Sequence, residues 1–251
     1  MKKIEVNFML QKVLAILLPI ILIIAGFLYF GNKQPEVVPD NSIPQTPEEY
    51  IRTIDENLID FIQYDSSYQE IKKVVILTNY GNIKIALYPQ KAPMAVENFL
   101  TLAQNGYYNG LPFNKIVKDY FIQSGDPDDG TGGRSIWDKP FPNEIDMDLW
   151  NFRGAIGMAT SEKGENGSQF YIIQAKTLSH DAIEAMRKAN FPFKVIEKYK
   201  QVGGAPWLDG KHTVFGHIIS GIDVVDAIAD ASVTTENAQP QPAIIEEITI
   251  E

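Results

Sequence analysis

A chain of 251 residues with 45% apolar and 22% charged residues has globular composition and room for one substantial domain plus accessories. Its formal net charge of −10 sets it against phosphate backbones, which disfavours a nucleic-acid partner. The absence of cysteine excludes disulfides, thiol nucleophiles, thiolate metal sites and lipid attachment through a cysteine.

Residues 13–31 read VLAILLPIILIIAGFLYFG, without a charge. A helix crossing a ~30 Å hydrocarbon core needs about 20 such residues, and Pro19 is tolerable inside one. The run ends in Phe27, Leu28, Tyr29 and Phe30, which suit an interfacial anchor better than a signal-peptide cleavage site. Lys2, Lys3 and Lys12 precede it. The expected arrangement is therefore a cytoplasmic N-terminus at 1–12, an uncleaved single-pass transmembrane helix at 13–31, and the remainder outside the cell membrane.

Residues 32–68 are expected to form a spacer followed by a short amphipathic helix. Pro35, Pro39 and Pro44 among polar residues give an extended segment. Thr46-Pro47-Glu48-Glu49 is a helix start, with threonine as cap, proline in the first turn and glutamate three residues on. Ile51, Ile54, Leu58 and Phe61 continue at helical spacing to about Tyr64. Such a helix can pack on its own domain, on the bilayer or on a second copy.

From Lys73 the period changes to two. Val74–Thr78, a turn at residues 79–82, and Ile83, Ile85 and Leu87 alternating with Lys84, Ala86 and Tyr88 predict a β-hairpin. Pro93 opens and Gly106 closes a helix with Val96, Phe99, Leu100 and Ala103 on one face. Strands are predicted around 113–123, 155–159, 169–174 and 213–219, a helix over roughly 222–231, and a last strand carrying Ile244, Ile248 and Ile250. Many short strands with few helices point to a mainly β fold, a closed antiparallel barrel that removes exposed edges.

Chemistry-bearing patterns are few. Asp126, Asp128 and Asp129 lack the glutamate and glycine placement of a calcium loop. Gly130-Thr131-Gly132-Gly133 lacks the lysine of a phosphate loop, and Ser168 lacks the flanks of a nucleophile elbow. His212 and His217 lie five apart on a predicted strand and face opposite sides, which argues against a shared metal.

Four segments in order carry a family likeness: Ala92-Pro93-Met94-Ala95-Val96-Glu97-Asn98-Phe99; residues 113–126 (FNKIVKDYFIQSGD) with Gly130-Thr131-Gly132-Gly133; Gly157-Met158-Ala159 leading to Asn166-Gly167-Ser168-Gln169-Phe170-Tyr171-Ile172; and residues 207–216 (WLDGKHTVFG). Together they resemble the cyclophilins over residues 69–251. The resemblance implies an eight-stranded barrel capped by helices, peptidyl-prolyl cis–trans isomerase activity without cofactor or metal, and proline-containing polypeptides as partners. With the anchor, it implies exported client proteins and an enzyme assisting their folding at the outer face of the membrane.

By the same resemblance, Tyr120, Phe121, Tyr171, Leu208 and His212 would form the proline pocket and Gln123 would hold the substrate backbone. Ala159, Thr160, Ser161 and Gln169 would line the neighbouring groove, with Trp207 at its edge. Trp207 also matches the position associated with cyclosporin binding, so a cyclosporin-type inhibitor is an expected ligand. Lys115 stands where the family pattern usually carries the arginine held to donate to the proline nitrogen. An ammonium cannot reproduce the planar guanidinium fork, so reduced turnover is expected. The alternative is a catalytically weak proline-peptide binding module or chaperone. Residues of about 178–206 read as an insertion of two short helices, 181–189 and 194–201, which can shape access to the groove or merely decorate the domain.

Overall fold

Alternating apolar residues at Val74, Ile76, Ile83, Ile85 and Leu87 bury one face of a hairpin completely, and a curled antiparallel sheet is built outward from it. A computed structural model describes residues 46–127, 133–161, 164–231 and 242–251. These belong to one compact unit, Pro44–Glu251. The predicted anchor at 13–31 and spacer at 32–45 lie outside the described residues. Among the described residues, no helix is long and apolar enough to cross a membrane.

The strands are β1 (Lys72–Thr78), β2 (Gly81–Leu87), β3 (Lys115–Val117), β4 (Phe121–Ser124), β5 (Phe141–Pro142), β6 (Ala155–Thr160), β7 (Glu165–Ile173), β8 (Val214–Ser220) and β9 (Ile245–Ile250). Their order is β3-β4-β7-β6-β8-β2-β1-β9, with β5 joined to β7. The barrel is open, which corrects the closed eight-stranded expectation. Strand β3 has three residues and, among the described residues, pairs with β4 alone, so no ladder joins it to β9 there. Loop backbone crosses that seam instead: Gly110 N–H donates to Ile245 O, Ile245 N–H to Leu111 O, and Phe113 N–H to Ala243 O at 2.7–2.9 Å.

The reason β3 is short lies at Asp119. The stretch 113–123 reads as one strand, but Asp119 adopts a left-handed φ of 60° and its N–H is held by Gln174 Oε1 at 2.7 Å. The chain therefore doubles back as a β3–β4 hairpin. The hairpin of β1 and β2 is also tighter than predicted, since Thr78 pairs directly with Gly81. Thr78 Oγ1 donates to Gly81 O and accepts from Tyr80 N, which fixes that turn.

The helices are α1 (Pro47–Thr53), α2 (Pro93–Gln104), α3 (His180–Lys188), α4 (Phe193–Val202) and α5 (Ile222–Ala231). Helices α2 and α5 cover the main core around Phe99, Phe170 and Phe215. Helix α1 carries the expected capping box of Thr46 and Glu49 but ends at Thr53, well short of Tyr64. Asp55 caps a new 3₁₀ turn at Glu56–Leu58, and another follows at Ile62–Tyr64, so Leu58 points to solvent while Ile59 and Ile62 are buried. The segment packs on its own domain. Ile51 and Ile59 meet Trp150, Phe152, Met186 and Tyr199, which joins this segment and the inserted helices α3 and α4 in one satellite core.

Candidate active site

Strand register builds the site. Lys115 of β3 lies opposite Gln123 of β4, Gln123 opposite Tyr171 of β7, and Tyr171 opposite Gly157 of β6. Opposed residues share a face of the sheet, so these positions form one row across four strands. Glycine is required at its end: a Cβ on Gly157 would lie 2.3 Å from Cζ and Oη of Tyr171. Phe121, two residues before Gln123, stands on the same face.

Phe121, Tyr171, Tyr120, Ala159 and Leu208 belong to a second apolar cluster, separate from the main core. Tyr120 meets Phe121 edge-on at 4.5 Å and Tyr171 meets His212 edge-on at 5.8 Å. The His212 Nδ1 lies 3.3 Å from Met158 O and 3.2 Å from Thr160 Oγ1. A carbonyl can only accept, so Nδ1 carries the proton. Burial lowers the pKa of His212, which keeps it neutral near pH 7. Lys115 Nζ hangs 5.4 Å above the Phe121 ring. Gln123 Nε2 donates to Gln169 Oε1 at 3.0 Å, and Gln169 in turn donates to Asp126 Oδ2. Both amides are thereby fixed in orientation.

Trp207 is 48% exposed and donates its indole N–H to Tyr120 Oη at 2.7 Å. Ala159, Thr160, Ser161 and Gln169 line a neighbouring cavity of about 480 Å³ whose far side includes Arg134 and Asp138. Tyr120, Phe121, Tyr171 and Leu208 thus share one apolar cluster that His212 joins through Tyr171, Lys115 and Gln123 stand in register beside it, and Trp207 reaches it through Tyr120.

This geometry, an apolar aromatic cluster beside two oriented amides, accompanies a family match. The family model described as cyclophilin type peptidyl-prolyl cis-trans isomerase matches residues 73–250. Proteins of Staphylococcus aureus strain USA300 and Staphylococcus epidermidis, each provisionally named a peptidyl-prolyl cis-trans isomerase, are 41% and 39% identical over 180 residues, 71% of this chain and 91% of theirs. The chain belongs to the cyclophilin-type peptidyl-prolyl cis–trans isomerases. A solved cyclophilin of Cryptosporidium parvum is 30% identical, with a TM-score of 0.56 over 72% of this chain and 98% of its own. A second structure of it, in the presence of the dipeptide Ala-Pro, is 31% identical with a TM-score of 0.55 over 71% and 98%.

The cyclophilin reaction asks little of a protein in covalent terms. The peptide bond resists rotation by ~18–20 kcal/mol, and X–Pro bonds exchange over tens of seconds or longer. A 10⁴-fold acceleration needs about 5.5 kcal/mol, supplied wholly by binding the twisted amide better than the planar one.

The residues that sequence reading missed stand behind the aromatic cluster and bond to its Tyr171. Asp209, within the Leu208–His212 loop, is buried. Its Oδ1 accepts from Asn151 N and Nδ2 at 2.9 Å, and its Oδ2 accepts from Tyr199 Oη at 2.6 Å. Asn151 Oδ1 then accepts from Tyr171 Oη at 2.7 Å. The four residues come from separate parts of the chain, and no spacing pattern connects them.

Proposed function

We propose that this cyclophilin isomerises X–Pro bonds of exported, partly folded polypeptides at the outer face of the membrane, tethered there by residues 13–31. The observation that carries the assignment of roles is the row Lys115–Gln123–Tyr171 beside Phe121 and His212. In this reading Tyr120, Phe121, Tyr171, Leu208 and His212 take the pyrrolidine ring, with Trp207 at the edge. Gln123 holds the substrate carbonyl, and Lys115 is the donor nearest the amide nitrogen as it becomes pyramidal. Ala159, Thr160, Ser161 and Gln169 take the chain beyond. The charge-free run at 13–31 behind Lys2, Lys3 and Lys12 supports the tether and its orientation. A cyclosporin-type macrocycle would bind across Trp207, in competition with the indole's bond to Tyr120.

The test is exchange-based isomerisation of short X–Pro peptides by the full chain in detergent. Catalysis well above the spontaneous rate is expected. Saturable binding without catalysis would instead favour the binding-module reading, which Lys115 at the usual arginine position supports. Digestion of the C-terminal domain by protease added outside intact spheroplasts tests its placement; full protection would overturn it.

A further inference from the structure

The loop from Pro206 to His212 has two working faces. Leu208 and His212 pack toward Phe121 and Tyr171. Pro206, Trp207 and Lys211 turn the other way and line a second cavity of about 200 Å³. Its opposite wall is the inserted helix α3 with Ala182, Ala185 and Met186, and Ile51 of α1 closes the end. Neither wall belongs to the barrel.

We propose that this cavity is an additional substrate subsite, which takes one large apolar side chain of the same polypeptide whose proline occupies the main pocket. The inference rests on the proline-pocket assignment above. Continuity is the first argument. Trp207 lines the cavity, and its indole N–H is also bonded to Tyr120 at the edge of the proline pocket. A chain leaving that pocket over the exposed indole reaches the cavity mouth.

Size and chemistry select the occupant. An apolar cavity of ~150 Å³ holds a benzene ring, so about 200 Å³ accommodates a phenylalanine or leucine side chain. The Asp209 carboxylate also borders the space, but its oxygens are already bonded to Asn151 and Tyr199. A polar side chain entering there would lose water without a ready partner, which costs free energy. At the rim, Glu48 and Lys211 pair at 3.5 Å, both half-exposed, and offer polar groups to a passing backbone.

The experiment uses the full chain in detergent and twelve-residue peptides with a single proline in an alanine-rich background. Phenylalanine is scanned over the four positions on each side. Expected is a rise of about tenfold in kcat/KM at one position, the scale of burying one large apolar side chain. Ala185→Trp, which fills the cavity, should abolish that rise while leaving turnover of the all-alanine peptide unchanged. Ala182→Leu serves as a milder second filling, and turnover of the all-alanine peptide reports folding of each variant. Turnover without any positional preference, or a preference that survives both fillings, overturns the subsite. Phenylalanine-dependent binding that both fillings abolish, with no turnover of any peptide, would uphold the cavity and overturn the proline-pocket assignment.

Discussion

The phenol of Tyr199 donates a 2.6 Å hydrogen bond to Oδ2 of Asp209, tying an inserted helix to the loop that carries Leu208 and His212. Through Asn151 the same carboxyl reaches Tyr171, which is assigned above to the proline site. Tyr199→Phe leaves one buried carboxyl oxygen without its donor, at a cost of about 1–3 kcal/mol. The melting temperature should fall by roughly 3–10 °C, and kcat/KM should drop several-fold. Unchanged values of both, by calorimetry and peptide isomerisation, would reduce the insertion to ornament.

Two buried groups oppose each other in pH dependence. Burial pushes the Asp209 carboxyl up to about 7, against the hydrogen bonds from Tyr199 and Asn151 that lower it. Burial, with repulsion from Lys198, pushes His217 down to about 4. Gln63 Nε2 lies 3.3 Å from His217 Nδ1 and suits a neutral ring. Between about pH 4 and 7 folded Asp209 keeps a proton that the unfolded chain releases, so stability falls as pH rises. Between about pH 4 and 6.5 folded His217, and in lesser degree His212, refuse a proton that the unfolded chain takes, so stability rises with pH. Each slope reaches at most about 1.4 kcal/mol per pH unit. Denaturant titrations of the parent should therefore be nearly flat from pH 4.5 to 6.5. Asp209→Asn should give a rising curve and His217→Gln a falling one; parallel curves for all three would refute both assignments.

Lys115→Arg restores a planar donor at the pocket rim. It should raise kcat by roughly tenfold with KM within about twofold, whereas Lys115→Ala should bind peptide and turn over poorly. A kcat unchanged by arginine would remove position 115 from the chemistry.

Much of this domain was legible in the sequence because the signals were local. Alternation disclosed the hairpin, Pro93 and Gly106 bracketed a helix, and the residues that the family resemblance assigns to the site fall within contiguous segments. The remainder depends on partners far along the chain. Asp119 turns back because Gln174 holds its amide, which splits a predicted strand and leaves the barrel open. The helix expected to reach Tyr64 breaks because Asp148 takes the amide of Asp60 and Gln63 exchanges hydrogen bonds with the backbone of Trp150. Tyr199, Asn151 and Asp209 carry no mutual spacing at all, so their network was invisible before the fold.

The family match begins at residue 73, but the physical domain begins earlier. Ile51, Ile59 and Ile62 are 3%, 2% and 6% exposed, and burial of each contributes about 1.5–3 kcal/mol. A fragment from Ser67 should lose several kcal/mol relative to one from Pro44 and bind a hydrophobic dye where Phe152 and Trp150 are uncovered. Equal denaturation midpoints would show the preceding segment to be dispensable.

The three tryptophans occupy three unlike surroundings. Trp150 is 2% exposed, Trp137 leans half-buried on Phe141 at 5.4 Å, and Trp207 stands 48% exposed beside Tyr120. An indole emits at longer wavelength when wet than when covered. The protein thus carries its own optical reporter: a polypeptide that settles over Trp207 should shift the red edge of the emission, while the other two indoles serve as an internal standard.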